Sequence, residues 1–105
     1  MTEVRDQAGR RADDSVLGPY RLVQPLGEGG MGVVHLGLDG HGRAVAVKVL
    51  RPYIAHDPMA RERLRREVAT LERIQHPGVA GVIDADIDGE RPYLVTQYVP
   101  GAPLD

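Results

Sequence analysis

The stretch Leu26-Gly27-Glu28-Gly29-Gly30-Met31-Gly32-Val33-Val34 constrains the fold of this chain more than any other. Glycines at that density strip side chains from the backbone, so the main chain can turn tightly there. Its N–H groups can also come close to an anion. The β-branched pair Val33-Val34 favours a strand on the far side. The chain therefore enters the glycines as one strand and leaves as another. By itself the motif fits an ordinary hairpin turn and a flap over phosphates equally well.

The residues around it make the hairpin concrete. Tyr20 to Leu26 and Val33 to Leu38 read as its two strands. Asp39-Gly40-His41-Gly42 is a second turn signal, and Ala44 to Leu50 a third strand. Asp57-Pro58 opens a helix, with Asp57 as N-cap and Pro58 at the first helical position, where its missing N–H is no loss. The helix is expected to run to about Gln75 and to end at His76-Pro77-Gly78. Val82 to Ile87 and Pro92 to Val99 read as two further strands around Asp88-Gly89-Glu90-Arg91. This order predicts an α+β fold, a five-stranded antiparallel sheet with one inserted helix. Residues 1–18 are polar and charged without hydrophobic period and are expected to form a disordered tail, leaving 19–105 as the folded domain.

Two common phosphate-binding loops do not fit. A dinucleotide-binding glycine loop leads from a strand into a helix, but Val33-Val34-His35-Leu36 is strand-like. A Walker loop ends in Gly-Lys-Ser/Thr, and Met31-Gly32-Val33 does not. What remains is a glycine-rich β-hairpin lid.

Lys48 bears on that choice. It interrupts the strand Val45-Ala46-Val47-Lys48-Val49-Leu50, sharing one face with Ala44, Ala46 and Leu50, while Val45, Val47 and Val49 take the other. A lysine there either reaches water from an edge or is paired. The helix offers a partner. At its period Leu64, Val68, Leu71 and Ile74 form an apolar stripe, and Glu67 lies within it. A carboxylate on that face either sits at the stripe's edge with its head in solvent or needs a cation. Pairing Lys48 with Glu67 explains both anomalies at once, and this pairing is the expectation.

Bulk properties narrow the partners. The chain has 105 residues, 13 Lys and Arg against 15 Asp and Glu, and a formal net charge of -2. That balance gives no electrostatic case for nucleic acid or an anionic membrane. With no cysteine there is neither a disulfide framework nor a thiolate metal site. His41, His56 and His76 read as loop or cap residues, and no metal site is expected. No apolar run is long enough to span a bilayer, and Met1 to Ser15 lacks the apolar core of a signal peptide, so a cytoplasmic location is expected.

Four segments together resemble the bacterial eukaryotic-type serine/threonine protein kinases, in their N-terminal, ATP-binding lobe only. Leu26 to Val34 resembles that family's glycine loop, and Val45 to Leu50 its third strand. Arg65-Arg66-Glu67 with Leu71 and His76-Pro77 resembles its helix C and the following turn. Tyr93-Leu94-Val95-Thr96-Gln97-Tyr98-Val99-Pro100-Gly101 resembles its fifth strand and hinge. The resemblance implies ATP as ligand. The backbone of Glu28, Gly29, Gly30, Met31 and Gly32, following Gly27, would cover its phosphates. Lys48 would contact the α- and β-phosphates, oriented by Glu67. Leu26, Val34 and Ala46 would roof the adenine. Thr96 would be the gatekeeper, with the Gln97 carbonyl and the Val99 N–H on the adenine edge. Gln97 replaces a common glutamate, His35 a frequent tyrosine, and Pro103 stands where a ribose contact is often found.

A complete kinase also needs a His-Arg-Asp loop with a following asparagine, and Asp-Phe-Gly, to orient the nucleophile and hold Mg2+. The 105 residues contain neither motif and no phenylalanine. The chain is therefore expected to be a lobe cut just after the hinge, inactive alone and prone to associate. Protein substrates would be reached only through the missing lobe, and back-to-back pairing of two lobes is a partner the resemblance allows. The competing reading is a non-catalytic module that binds nucleotide or docks onto a kinase. A structural protein with a chance glycine hairpin is the third reading.

Overall fold

A computed structural model of the chain describes residues 15–29, 32–73 and 81–100. Among the described residues six strands form one antiparallel sheet: β1 (Val16–Leu17), β2 (Tyr20–Glu28), β3 (Gly32–Leu38), β4 (Ala44–Leu50), β5 (Val82–Asp86) and β6 (Tyr93–Gln97). Their spatial order is β1-β2-β3-β4-β6-β5. A short 3₁₀ turn, Pro52–Ile54, leads from β4 to the helix α1 (Pro58–Arg73). The antiparallel sheet and single inserted helix are as expected, with one strand more than the five predicted.

The additional strand is β1, drawn from the end of the stretch assigned to the tail. Gly18 takes a left-handed φ of +56°, which with Pro19 closes a two-residue turn and pairs Leu17 with Tyr20. Leu17 is buried in the same cluster as Tyr20. Its strand is held by this packing and by the Leu22 N–H donating to the Ser15 carbonyl at 2.6 Å. The rest of the expected tail, residues 1–14, lies outside the described residues, as does the expected helix end beyond Arg73.

Strands β3 and β4 pair without interruption from Gly32↔Leu50 to Leu38↔Ala44. Their turn is built on Asp39, whose Oδ1 accepts from the N–H groups of His41 (2.8 Å) and Arg43 (2.9 Å). These bonds, that to Arg43 above all, hold the Asp39 carboxyl below its usual pKa. β2 is less regular: its register on β3 shifts between Leu22 and Gln24 and again between Pro25 and Gly27. The second shift accommodates a proline that has no N–H for a ladder. α1 begins as expected, with the Met59 N–H donating to Asp57 Oδ1 at 2.9 Å.

The alternation in β4 divides the core into two clusters. Val45, Val47 and Val49 pack with Leu17, Tyr20, Tyr93 and Val95 on one face. Leu50 and Leu94 pack with Ala55, Ala60 and Leu64 on the other, where α1 lies. Leu64 is fully buried, worth roughly 1.5–3 kcal/mol by area. In the first cluster the rings of Tyr20 and Tyr93 meet edge-on, with centroids 6.1 Å apart. The Tyr20 hydroxyl donates to Asp84 Oδ2 at 2.9 Å, tying β2 to β5 across the sheet. Burial, helped by Asp84, pushes the Tyr20 pKa up to about 12. No described helix is long and apolar enough to cross a membrane.

Candidate functional site

The pairing of three adjacent strands lays out the site. Val34 sits opposite Lys48, and Lys48 opposite Leu94; in the next row Leu36 faces Ala46, and Ala46 faces Thr96. Directly opposed residues project to the same side of a sheet. Val34, Ala46, Lys48, Leu94 and Thr96 therefore share the face on which α1 packs. The helix covers the Leu50–Leu94 end. Val34, Ala46 and Thr96 are half-buried.

Lys48 Nζ donates to Glu67 Oε1 at 2.9 Å, the pair expected from the sequence. The two side chains are 26% and 33% exposed. Glu67 is thus at the edge of the apolar stripe and is paired as well, which joins the two alternatives weighed above. A pair so exposed adds at most about 1 kcal/mol to stability. What it does is hold an ammonium at a fixed place on an open face.

The glycine flap rises from β2 and β3 beside this face. Gly32 is buried against the end of β4, and a Cβ on it would run into the Val49 carbonyl. Gly29 donates its N–H to the Gly32 carbonyl at 2.9 Å, closing the turn's base. Gly30 and Met31 lie outside the described residues. Gly27 pairs with Val34, and Leu26 is half-buried in the β2 irregularity beside it. Glu28 is exposed and pairs with Val33.

At the other end, Gln97 closes β6 opposite Val45 and donates its N–H to the Gly81 carbonyl at 3.0 Å. Val99 is half-buried two residues further on. His35 is opposite Val47, so it points away from Lys48. It lines a groove of about 390 Å³ with Ser15, Leu22, Val23, Gln24, Pro25 and Arg91. Burial there, and Arg91, lower its pKa. Among the described residues no three His, Asp or Glu side chains gather as a metal-binding group.

Arg51 escaped the sequence reading. Its Nη2 donates both to Glu28 Oε1 (2.8 Å) and to the Gly29 carbonyl (3.0 Å). The pairing of Leu50 with Gly32 sets the next residue beside the flap, which only the folded register reveals.

The protein kinase domain family model matches residues 20–105. The probable serine/threonine-protein kinase PkwA of Thermomonospora curvata is 46% identical over 92 residues, which make up 88% of this chain and 12% of that protein. The serine/threonine-protein kinase AfsK of Streptomyces coelicolor is 39% identical over 93 residues, 89% of this chain and again 12% of the relative. The crystal structure of the Mycobacterium tuberculosis PknI kinase domain superposes with a TM-score of 0.60 at 32% identity, over 81% of this chain and 35% of that one. The chain thus spans only a small part of the relatives it matches. With its antiparallel sheet, single helix and Lys48–Glu67 pair in the expected order, it belongs to the protein kinase domain family and forms the N-terminal lobe of that fold.

Proposed function

We propose that this chain is the ATP-binding lobe of a serine/threonine protein kinase. The observation that carries the reading is the 2.9 Å pair of Lys48 and Glu67 on an open sheet face beside the glycine flap. The ammonium of Lys48 neutralises charge on the α- and β-phosphates, and Glu67 fixes its position. The glycine-rich flap lets backbone N–H groups approach the same phosphates. Leu26, Val34 and Ala46 supply an apolar surface for adenine. Thr96 bounds that surface at the rear, and the Gln97 carbonyl and Val99 N–H bind the adenine edge.

The residues present fit such a ligand. A partly exposed cation held by a carboxylate suits a phosphate, and the missing Cβ of Gly32 lets the start of β3 lie close against β4. ATP bound with Mg2+ would supply the transferable phosphoryl group. The 105 residues contain no His-Arg-Asp or Asp-Phe-Gly sequence. As a separate polypeptide they therefore bind nucleotide without turning it over, and protein hydroxyls are phosphorylated only where a complementary lobe is supplied. A radiolabelled transfer assay on this polypeptide is expected to stay at background.

The binding site itself is tested by calorimetric titration of magnesium-ATP into the wild type and Lys48→Met. Losing one charge-assisted phosphate contact should weaken binding about tenfold or more. Equal affinity in the two proteins would remove Lys48 from the site.

A further inference from the structure

We propose that Arg51 is the clasp of the glycine flap, a positioning residue that sets how the flap meets the phosphates. This inference rests on the nucleotide-binding reading above. Arg51 follows the last residue of β4, and that residue, Leu50, is paired with Gly32 at the start of β3. The guanidinium thus stands at the base of the flap. One of its nitrogens, Nη2, serves two acceptors on the flap's entering side, the Glu28 carboxylate at 2.8 Å and the Gly29 carbonyl at 3.0 Å. Gly29 in turn donates its N–H to the Gly32 carbonyl on the leaving side. The backbone of Gly29 is therefore held from both of its polar groups.

The need for such a device follows from composition. A flap this rich in glycine has the largest conformational entropy to lose. A charge-assisted bond from a fixed strand end reduces that loss before any ligand arrives, and pre-organised donors bind an anion more tightly. Glu28 is the recruited half: its side chain is 68% exposed. Arg51, 25% exposed, is the anchored half. Lys48 meets the ligand, whereas Arg51 acts through the flap.

The alternative role for Arg51, direct contact with a phosphate, makes the opposite prediction at Glu28. If Arg51 binds phosphate, removing its carboxylate partner frees it and tightens binding. If Arg51 is a clasp, removing either partner loosens the flap and weakens binding. The test titrates magnesium-ATP and adenosine separately into the wild type, Arg51→Ala, Glu28→Gln and the reversed pair Glu28→Arg with Arg51→Glu. Amide hydrogen exchange of Gly29 is followed in the absence of ligand.

The clasp predicts that each single variant binds ATP about three- to fivefold more weakly, as expected for a partly exposed ion pair. Adenosine affinity should stay within about twofold. Gly29 exchange should quicken in both single variants, and the reversed pair should recover part of the ATP affinity. Unchanged or tighter ATP binding by Glu28→Gln, or equal losses for ATP and adenosine, would overturn the clasp while leaving the nucleotide site standing. A wild type that binds neither ligand would overturn the site and the clasp's purpose together.

Discussion

The guanidinium of Arg61 reaches from the first turn of α1 to the Ile87 carbonyl, just past the end of β5, 2.8 Å away. Its Nε also donates to the Ala55 carbonyl at 2.6 Å. One side chain thus ties together the approach to the helix, the helix itself and the hairpin that carries Thr96. The helix bearing Glu67 is located by this contact as well as by Leu64. Arg65, one turn on, repeats the link to the hairpin through an exposed pair with Asp88, while its pair with Glu62 stays within the helix.

Arg61→Ala leaves two carbonyls without this donor. A loss of about 1–3 kcal/mol is expected, read from urea unfolding. Arg61→Lys should recover only part of it, because an ammonium cannot span both acceptors with the geometry of a planar guanidinium. An unchanged midpoint in Arg61→Ala would show that the helix is held by its apolar face alone.

Tyr20→Phe tests the bond to Asp84, and its removal should cost about 0.5–1.5 kcal/mol near neutral pH. The pH dependence has a definite sign. The folded-state pKa is raised from 10.0 to about 12. The associated stability is therefore complete below the unfolded value of 10.0 and is lost as pH rises through 12. The gap between wild type and Tyr20→Phe should narrow over that range in pH-dependent unfolding. A gap that widens above pH 10 would contradict the assignment.

Gly32→Ala places a methyl group against the Val49 carbonyl. Overpacking of this kind costs about 1–3 kcal/mol. The strain falls where the flap enters β3 against the end of β4, so magnesium-ATP affinity should fall further than adenosine affinity. Gly40→Ala, where a Cβ meets nothing, is the control and should leave both affinities unchanged. Equal behaviour of the two variants in calorimetry would mean that the close approach at Gly32 has no bearing on the ligand.

Much of this fold was written locally. The run from Ala44 to Leu50 alternates so cleanly that its bounds and both faces could be read directly, because a period of two needs no knowledge of the neighbours. Asp57 and Pro58 marked the helix start by cap chemistry. Lys48 and Glu67 were legible because each is out of place within its own element, and two such anomalies point at each other. Contacts set by distant packing were hidden. Val16 and Leu17 are too few to show a period, and their pairing depends on Gly18 turning and on Leu17 meeting a cluster assembled from three other strands. Tyr20 and Asp84 carry no mark of their partnership. Arg51 reads as a charged residue after a strand, which is ordinarily solvated. Only the register of β3 on β4 shows that it lies beside the flap.

A crystal structure of the chain with a non-hydrolysable ATP analogue and magnesium tests the central claim most directly. The α- and β-phosphates should lie within hydrogen-bonding distance of Lys48 Nζ, beneath the flap, with adenine against Val34 and Ala46 and the Lys48–Glu67 pair intact. An analogue seated elsewhere, in the groove of His35 and Arg91 for instance, or a Lys48 turned away from the phosphates, would contradict it.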